Sequence, residues 1–194
     1  MMSISNEESP QSVEERILGA AAGCVIAYGV DRVTLAEIAR RAGVSRPTVY
    51  RRFPDTRSIL AALLTMRITH ALDDVPSRGV GREPMVERIV AVAERLRRDD
   101  VIMSVLHQAP DLAMVYLSER LGTSQQILLD TVTGEIKLAQ DDGSVRPGDA
   151  RQFAAMSLLI TQSTILSARL VDPILDAGTL ARELTRALNG YLTP

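Results

Sequence analysis

TLAEIARRAGVSRPTVYRRF, residues 34–53, is the stretch from which the rest of the chain can be read. Thr34 and Glu37 stand at capping-box spacing, in which the threonine hydroxyl and the glutamate carboxylate satisfy each other's exposed backbone N–H groups. Leu35, Ile38, Ala39 and Ala42 follow at helical spacing and predict one apolar face. Gly43 comes next as the residue able to take a positive φ where a helix ends. Ser45 can cap a second helix, and Pro47 falls in its first turn, where a missing N–H costs nothing. Small Ala39 opposite Gly43 lets the two helices approach closely, with Val44, Val49 and Phe53 inward. Two short helices joined in this way predict a helix-turn-helix whose second helix is shaped to enter a DNA major groove.

The polar side of that second helix carries Arg46, Pro47, Thr48, Tyr50, Arg51 and Arg52. Arginine grips guanine O6/N7 or a phosphate as a fork, threonine offers a hydroxyl and a methyl, and tyrosine reaches a phosphate with its OH. Thr34 and Ser45, at the two helix starts, and Arg57, just beyond, complete the predicted DNA-contacting set. The plain alternative is an arginine-coated surface helix; the coincidence of turn chemistry with the basic cluster argues against it.

Residues 16–64, from RILGAAAGCVIAYGV through TLAEIARRAGVSRPTVYRRFPDTRSILAALL, resemble the N-terminal domain of the TetR (tetracycline-repressor) family of transcriptional regulators. The match covers about a quarter of the chain and lies in the order and spacing of four elements: the first helix ending at Gly29, the TLAEIARRAGVS segment, the VYRRF run, and a fourth helix just after it. Members usually carry a lysine three residues after the phenylalanine, where it meets a phosphate. Here that position is Thr56, and Arg57 beside it is the candidate to supply the charge.

Composition fits a two-part helical regulator. The length of 194 residues suits one or two domains, and with no Trp and 3% aromatics the core must be aliphatic. A net charge of −2 would argue against a polyanionic partner, but Arg32–Arg57 holds seven arginines against Glu37 and Asp55, so the positive charge is concentrated in one segment. No apolar run reads as a membrane span of about 18–20 residues, and MMSISNEESPQ is unlike a signal peptide. The single cysteine, Cys24, falls among apolar residues of the first helix, and a reducing cytoplasm fits.

The expected architecture is all-α: a disordered tail at 1–11, a three-helix helix-turn-helix domain at 12–54, and a helical ligand-binding and dimerisation domain at 55–194. Ser12 and Glu15 open the first helix as a second capping box, and Asp55 caps a fourth helix running to about Asp73. Further helices are predicted over Pro84–Arg98, Val101–Gln108, Pro110 to about Gln140 with Gly122 and Gly134 inside it, Asp149 to about Leu170, and Thr179–Tyr191.

Leu158, Leu159, Ile165 and Leu166, with Leu180, Leu184 and Leu188 on the last helix, cover more apolar surface than one small core needs. The plain alternative is a thick intramolecular bundle; the expectation is a two-fold homodimer in which the last two helices of each chain form a four-helix bundle, as DNA reading by paired recognition helices favours and the family resemblance also implies. A small-molecule pocket is implied by the resemblance, between the fourth to eighth helices. Its candidate lining is Met66, His70, Met103, His107, Met114 and Leu117, together with Phe153, Ser157, Ile160 and Thr161. Aliphatic lining suits a lipophilic effector such as a fatty-acyl compound.

No catalytic residue, metal ligand or cofactor is predicted: the two histidines lie on separate helices, and no nucleophile–base or phosphate-loop motif is present. The expectation is a cytoplasmic regulator whose partners are double-stranded operator DNA, a small lipophilic effector and a second copy of itself, with no membrane. The rival is a helical enzyme or oligomerisation module with an incidental helix-turn-helix.

Overall fold

The computed structural model describes residues 12–109 and 122–194. The regular elements among these residues are helical: α1 (Val13–Tyr28), a 3-10 turn (Val30–Arg32), α2 (Leu35–Ala42), α3 (Arg46–Arg52), α4 (Thr56–Asp73), α5 (Arg82–Arg97), α6 (Asp100–Gln108), α7 (Thr123–Asp141), α8 (Ala150–Val171) and α9 (Ala177–Leu192). The chain divides into two compact units between Leu63 and Leu64, a point inside α4. The tail placed at 1–11, and Met114 and Leu117, lie outside the described residues.

In the first unit α1 packs on α2, and α2 on α3. Ile17, Ala21 and Cys24 of α1, Ile38 of α2, Val49 of α3 and Ile59 of α4 are completely buried. Burial also pushes the Cys24 thiol pKa up, as expected of a small core residue. Both halves of the Ser12–Glu15 capping box form, at 2.8 and 3.1 Å. At the end of α2, Gly43 takes the left-handed conformation (φ 63°, ψ 37°). Its N–H donates to Arg40 O at 3.4 Å and that of Val44 to Ala39 O at 3.1 Å, the paired bonds of a Schellman cap.

In the second unit α5 packs against α6, α7, α8 and α9, and α8 also packs against α7 and α9. Met85, Val86 and Val90 of α5, Leu129 and Ile136 of α7, Phe153 and Ala154 of α8, and Leu184, Leu188 and Leu192 of α9 share one buried cluster. The α7–α8 connection is pinned to α9 by Arg146, whose N–H donates to Leu192 O and whose Nε donates to Tyr191 O. Its guanidinium lies 4.2 Å from the Phe153 ring centroid and 4.8 Å from that of Tyr191, and the two rings meet edge-to-face at 5.9 Å. Gly148 (φ 147°) closes that loop where a Cβ would stand 2.6 Å from Phe153 Cζ, so a side chain there would displace the ring.

Two sequence expectations are corrected. The helix does not run through Gly122: that residue is extended (φ −70°, ψ 172°) and serves as the N-cap of α7, its N–H bonded to Gln125 Oε1 at 2.9 Å. And α8 is long and apolar enough to cross a membrane by length and composition, although no such run was expected. One side of it packs against α5, α7 and α9, with Ser157 and Thr161 buried there.

Candidate functional site

The helix-turn-helix is built from local chemistry. Thr34 Oγ1 caps α2 by accepting from Glu37 N at 3.2 Å. The reciprocal half of the predicted box is not made, because the Glu37 carboxylate is taken by cations. It accepts from Arg40 Nε and Nη2 at 2.9 and 2.7 Å and from Arg41 Nε at 2.9 Å. These bonds, Arg40 first and Arg41 second, pull the Glu37 pKa down to about 2. Arg41 is held further by Tyr28, donating to its OH at 2.6 Å.

The pH consequence has a definite sign. A carboxyl depressed below its ordinary value of about 4.3 contributes its clamp fully above that value and loses it only as pH falls toward 2. A carboxyl NMR titration of Glu37 is therefore expected to show a midpoint near 2, moving upward in Arg40→Ala. A midpoint at the ordinary value would mean the clamp does not form in solution.

On α3, Ser45 Oγ accepts from Thr48 N at 3.2 Å and lies 2.7 Å from Thr48 Oγ1, fixing the entry to the helix. Val49 and Phe53 are buried, which turns Arg46, Pro47, Tyr50, Arg51 and Arg52 outward; all five are exposed, and Thr48 is half-buried. Arg52 reaches Glu14 at 3.5 Å, both side chains being substantially exposed. Arg57 is exposed in the first turn of α4, and Thr56 is half-buried beside it. Thr34 and Arg46 border one open depression of this unit together with Glu37, Arg40 and Val44. Sequence reading had missed Arg16. From α1 it donates to Ala42 O at 3.2 and 2.7 Å and to Gly43 O at 2.9 Å, fastening the turn of the motif from behind. Nothing in the local sequence marks it, since its acceptors are backbone oxygens of another helix.

The second unit contains a cavity of about 140 Å³. Of the expected ligand residues, Ser157 and Thr161 line it, and Met66, His70, Met103 and His107 do not. His70 and His107 are exposed, Met66 and Met103 half-buried; α4 instead presents Leu64, Ile68 and Leu72 to the cavity. Phe153 is occupied by Arg146 and Tyr191, and Ile160 packs against the buried cluster.

The expected dimer residues are also redistributed. Leu158, Ile165 and Leu166 line the cavity. Leu184 and Leu188, at 5% and 0% exposure, belong to the core of their own chain, and Leu180 is half-buried beside it. Leu159 is 59% exposed and shares an outer face of α8 with Met156 and Leu170, also exposed. Among the described residues no group of three His, Cys, Asp or Glu is placed to hold a metal ion.

Residues 17–63 match the family model of bacterial regulatory proteins of the tetR family. An uncharacterised HTH-type transcriptional regulator of Mycobacterium tuberculosis is 62% identical over 192 residues, covering 99% of this chain and 100% of the relative. The chain belongs to the TetR family. It is a TetR-family transcriptional regulator with a DNA-binding helix-turn-helix. The fold extends beyond the matched segment. The structure of RolR in complex with resorcinol aligns with a TM-score of 0.67 at 18% identity, covering 93% of this chain and 87% of that one. FadR from Bacillus subtilis in complex with stearoyl-CoA aligns at 0.62 and 21% identity, covering 91% and 98%.

Proposed function

We propose that this TetR-family regulator is a homodimeric repressor that holds a palindromic operator and releases it when a small lipophilic effector enters the cavity of the second unit. Contact with DNA falls to Thr34, Ser45, Arg46, Pro47, Thr48, Tyr50, Arg51, Arg52 and Arg57. The exposed apolar face of α8 around Met156, Leu159 and Leu170 is the surface offered to a second copy. The family is in general cytoplasmic and non-enzymatic, and the same is proposed for this member.

The observation that carries the reading is the course of α4. It begins at Thr56, three residues after Phe53, and the same unbroken helix supplies Leu64, Ile68 and Leu72 to the cavity wall. An effector that displaces those three side chains acts on a helix whose first turn adjoins the recognition segment. In a dimer the two recognition helices must match half-sites one helical turn apart, about 34 Å, or a multiple of it. An effector releases DNA only through its differential affinity for the two spacings, and a 100-fold release takes about 2.7 kcal/mol. Structures of this fold have been solved with resorcinol and with stearoyl-CoA, so the fold does not settle the effector; the fatty-acyl expectation is one candidate among lipophilic molecules.

The test is operator affinity, measured by fluorescence anisotropy, with and without a ligand shown by calorimetry to occupy the cavity. A fall of tenfold or more is expected. A saturating ligand that leaves operator affinity unmoved would contradict the release mechanism.

A further inference from the structure

The wall of the cavity contains a hydrogen-bonding group that the chain itself does not use. Ser157 sits on the inner side of α8 at 1% exposure, and its Oγ has no hydrogen-bond partner, whereas buried hydroxyls are nearly always paired. Several other polar groups of the lining have partners within the chain. Thr161 Oγ1 donates to Ser157 O and Thr131 Oγ1 to Ile127 O, both at 2.8 Å. Gln125 Oε1 accepts from Gly122 N, and its Nε2 donates to Gln162 Oε1 at 3.0 Å.

Charge is balanced in the same way. Arg88 and Glu135, which both line the cavity, form an ion pair with each other. The rest of the Arg88 fork donates to Val75 O at 2.7 Å and to Leu72 O at 3.2 Å. The remaining described lining is aliphatic. A void of about 140 Å³ compares with the roughly 150 Å³ apolar cavity that accepts benzene.

We propose that the effector is a compact, uncharged amphiphile: an apolar body on the order of ten heavy atoms against Ile68, Ile89, Val92 and Val132, with one hydroxyl or carbonyl oxygen bonded to Ser157 Oγ. The proposal rests on reading this cavity as the effector site. An anionic or cationic head group would be buried without a counter-charge, since the only two charges in the described lining neutralise each other.

The test uses full-length protein and three probes matched in chain length, 1-octanol, octanoate and octylammonium, titrated calorimetrically at pH 7, where the latter two are ionised. Octanol is expected to bind at least about 100-fold more tightly than either ion. Ser157→Ala should weaken octanol about tenfold, the cost of one hydrogen bond. It should not lower the melting temperature, because the hydroxyl it removes has no partner. Ser157→Cys, which keeps the side-chain shape with a slightly larger and poorly hydrogen-bonding group, should bind octanol no better than Ser157→Ala does. Octanoate or octylammonium binding as well as octanol, octanol binding that ignores Ser157, or no binding of any probe would each overturn the proposal. Operator affinity is read in the same samples. Ser157-dependent octanol binding that leaves DNA bound upholds the head-group assignment and refutes the release mechanism instead.

Discussion

Leu184→Arg is expected to unfold the second unit, whereas Leu159→Arg should leave the fold intact and separate the dimer. Both leucines lie on apolar stripes of the last two helices, but the structure places them in opposite environments. Leu184 is 5% exposed within the cluster formed with α5 and α8. Truncating such a side chain costs about 2–5 kcal/mol, and an unpaired buried charge adds about 3–5 more. Against a total stability of about 5–15 kcal/mol, that is decisive. Leu159 is 59% exposed in the single chain, so arginine there should change monomer stability by no more than about 0.5 kcal/mol. At a two-fold interface, however, the same arginine meets its own symmetry mate. Circular dichroism melts and sedimentation equilibrium separate the cases. The unmodified protein should sediment as a dimer of the 21.1 kDa chain and Leu159→Arg as a folded monomer. A folded Leu159→Arg dimer would place the interface elsewhere.

Arg46→Ala is expected to cost about 1–3 kcal/mol of discrimination between operator and random DNA, and Tyr50→Phe to weaken both by a similar, smaller amount of about 0.5–1.5 kcal/mol. The difference follows from role. Arg46 stands at the first turn of α3, where a fork can reach a base edge, while the exposed Tyr50 hydroxyl is assigned a phosphate. Removing Arg51 or Arg57 should lower the salt dependence of binding by about one unit of slope per lost phosphate contact. Arg40→Ala and Arg41→Ala should matter much less, because Glu37 already holds both guanidiniums. Competition binding at several salt concentrations checks the whole series. Equal loss on operator and random DNA for Arg46→Ala would make it a phosphate contact.

The helix-turn-helix was legible in the sequence because its determinants are local. Gly43, Ser45 and Pro47 each act within a few residues of themselves, and the structure uses them as the spacing predicts. The Thr34–Glu37 box formed only by half, since two arginines one turn away are better partners for a carboxylate than a backbone N–H. Periodicity could not separate buried from exposed apolar stripes: Leu184 and Leu159 read alike in the sequence, yet one lies in the core of its own chain and the other on an outer face. The cavity was the least legible part. Met66 and His70 lie on the helix that lines the cavity but do not line it, and which side of a helix faces inward depends on how helices cross. Arg88–Glu135 and Gln125–Gln162 join residues 47 and 37 positions apart, and nothing in either neighbourhood announces the other.

The central claim, sequence-specific DNA binding through α3 by a symmetric dimer, is tested most directly by footprinting the folded protein on the intergenic DNA beside its own gene. The expected result is a protected inverted repeat, its half-sites centred one helical turn of about 34 Å, or a multiple of it, apart, with protection lost in Arg46→Ala combined with Arg51→Ala. Uniform or absent protection, under conditions where circular dichroism shows the helices intact, would contradict it.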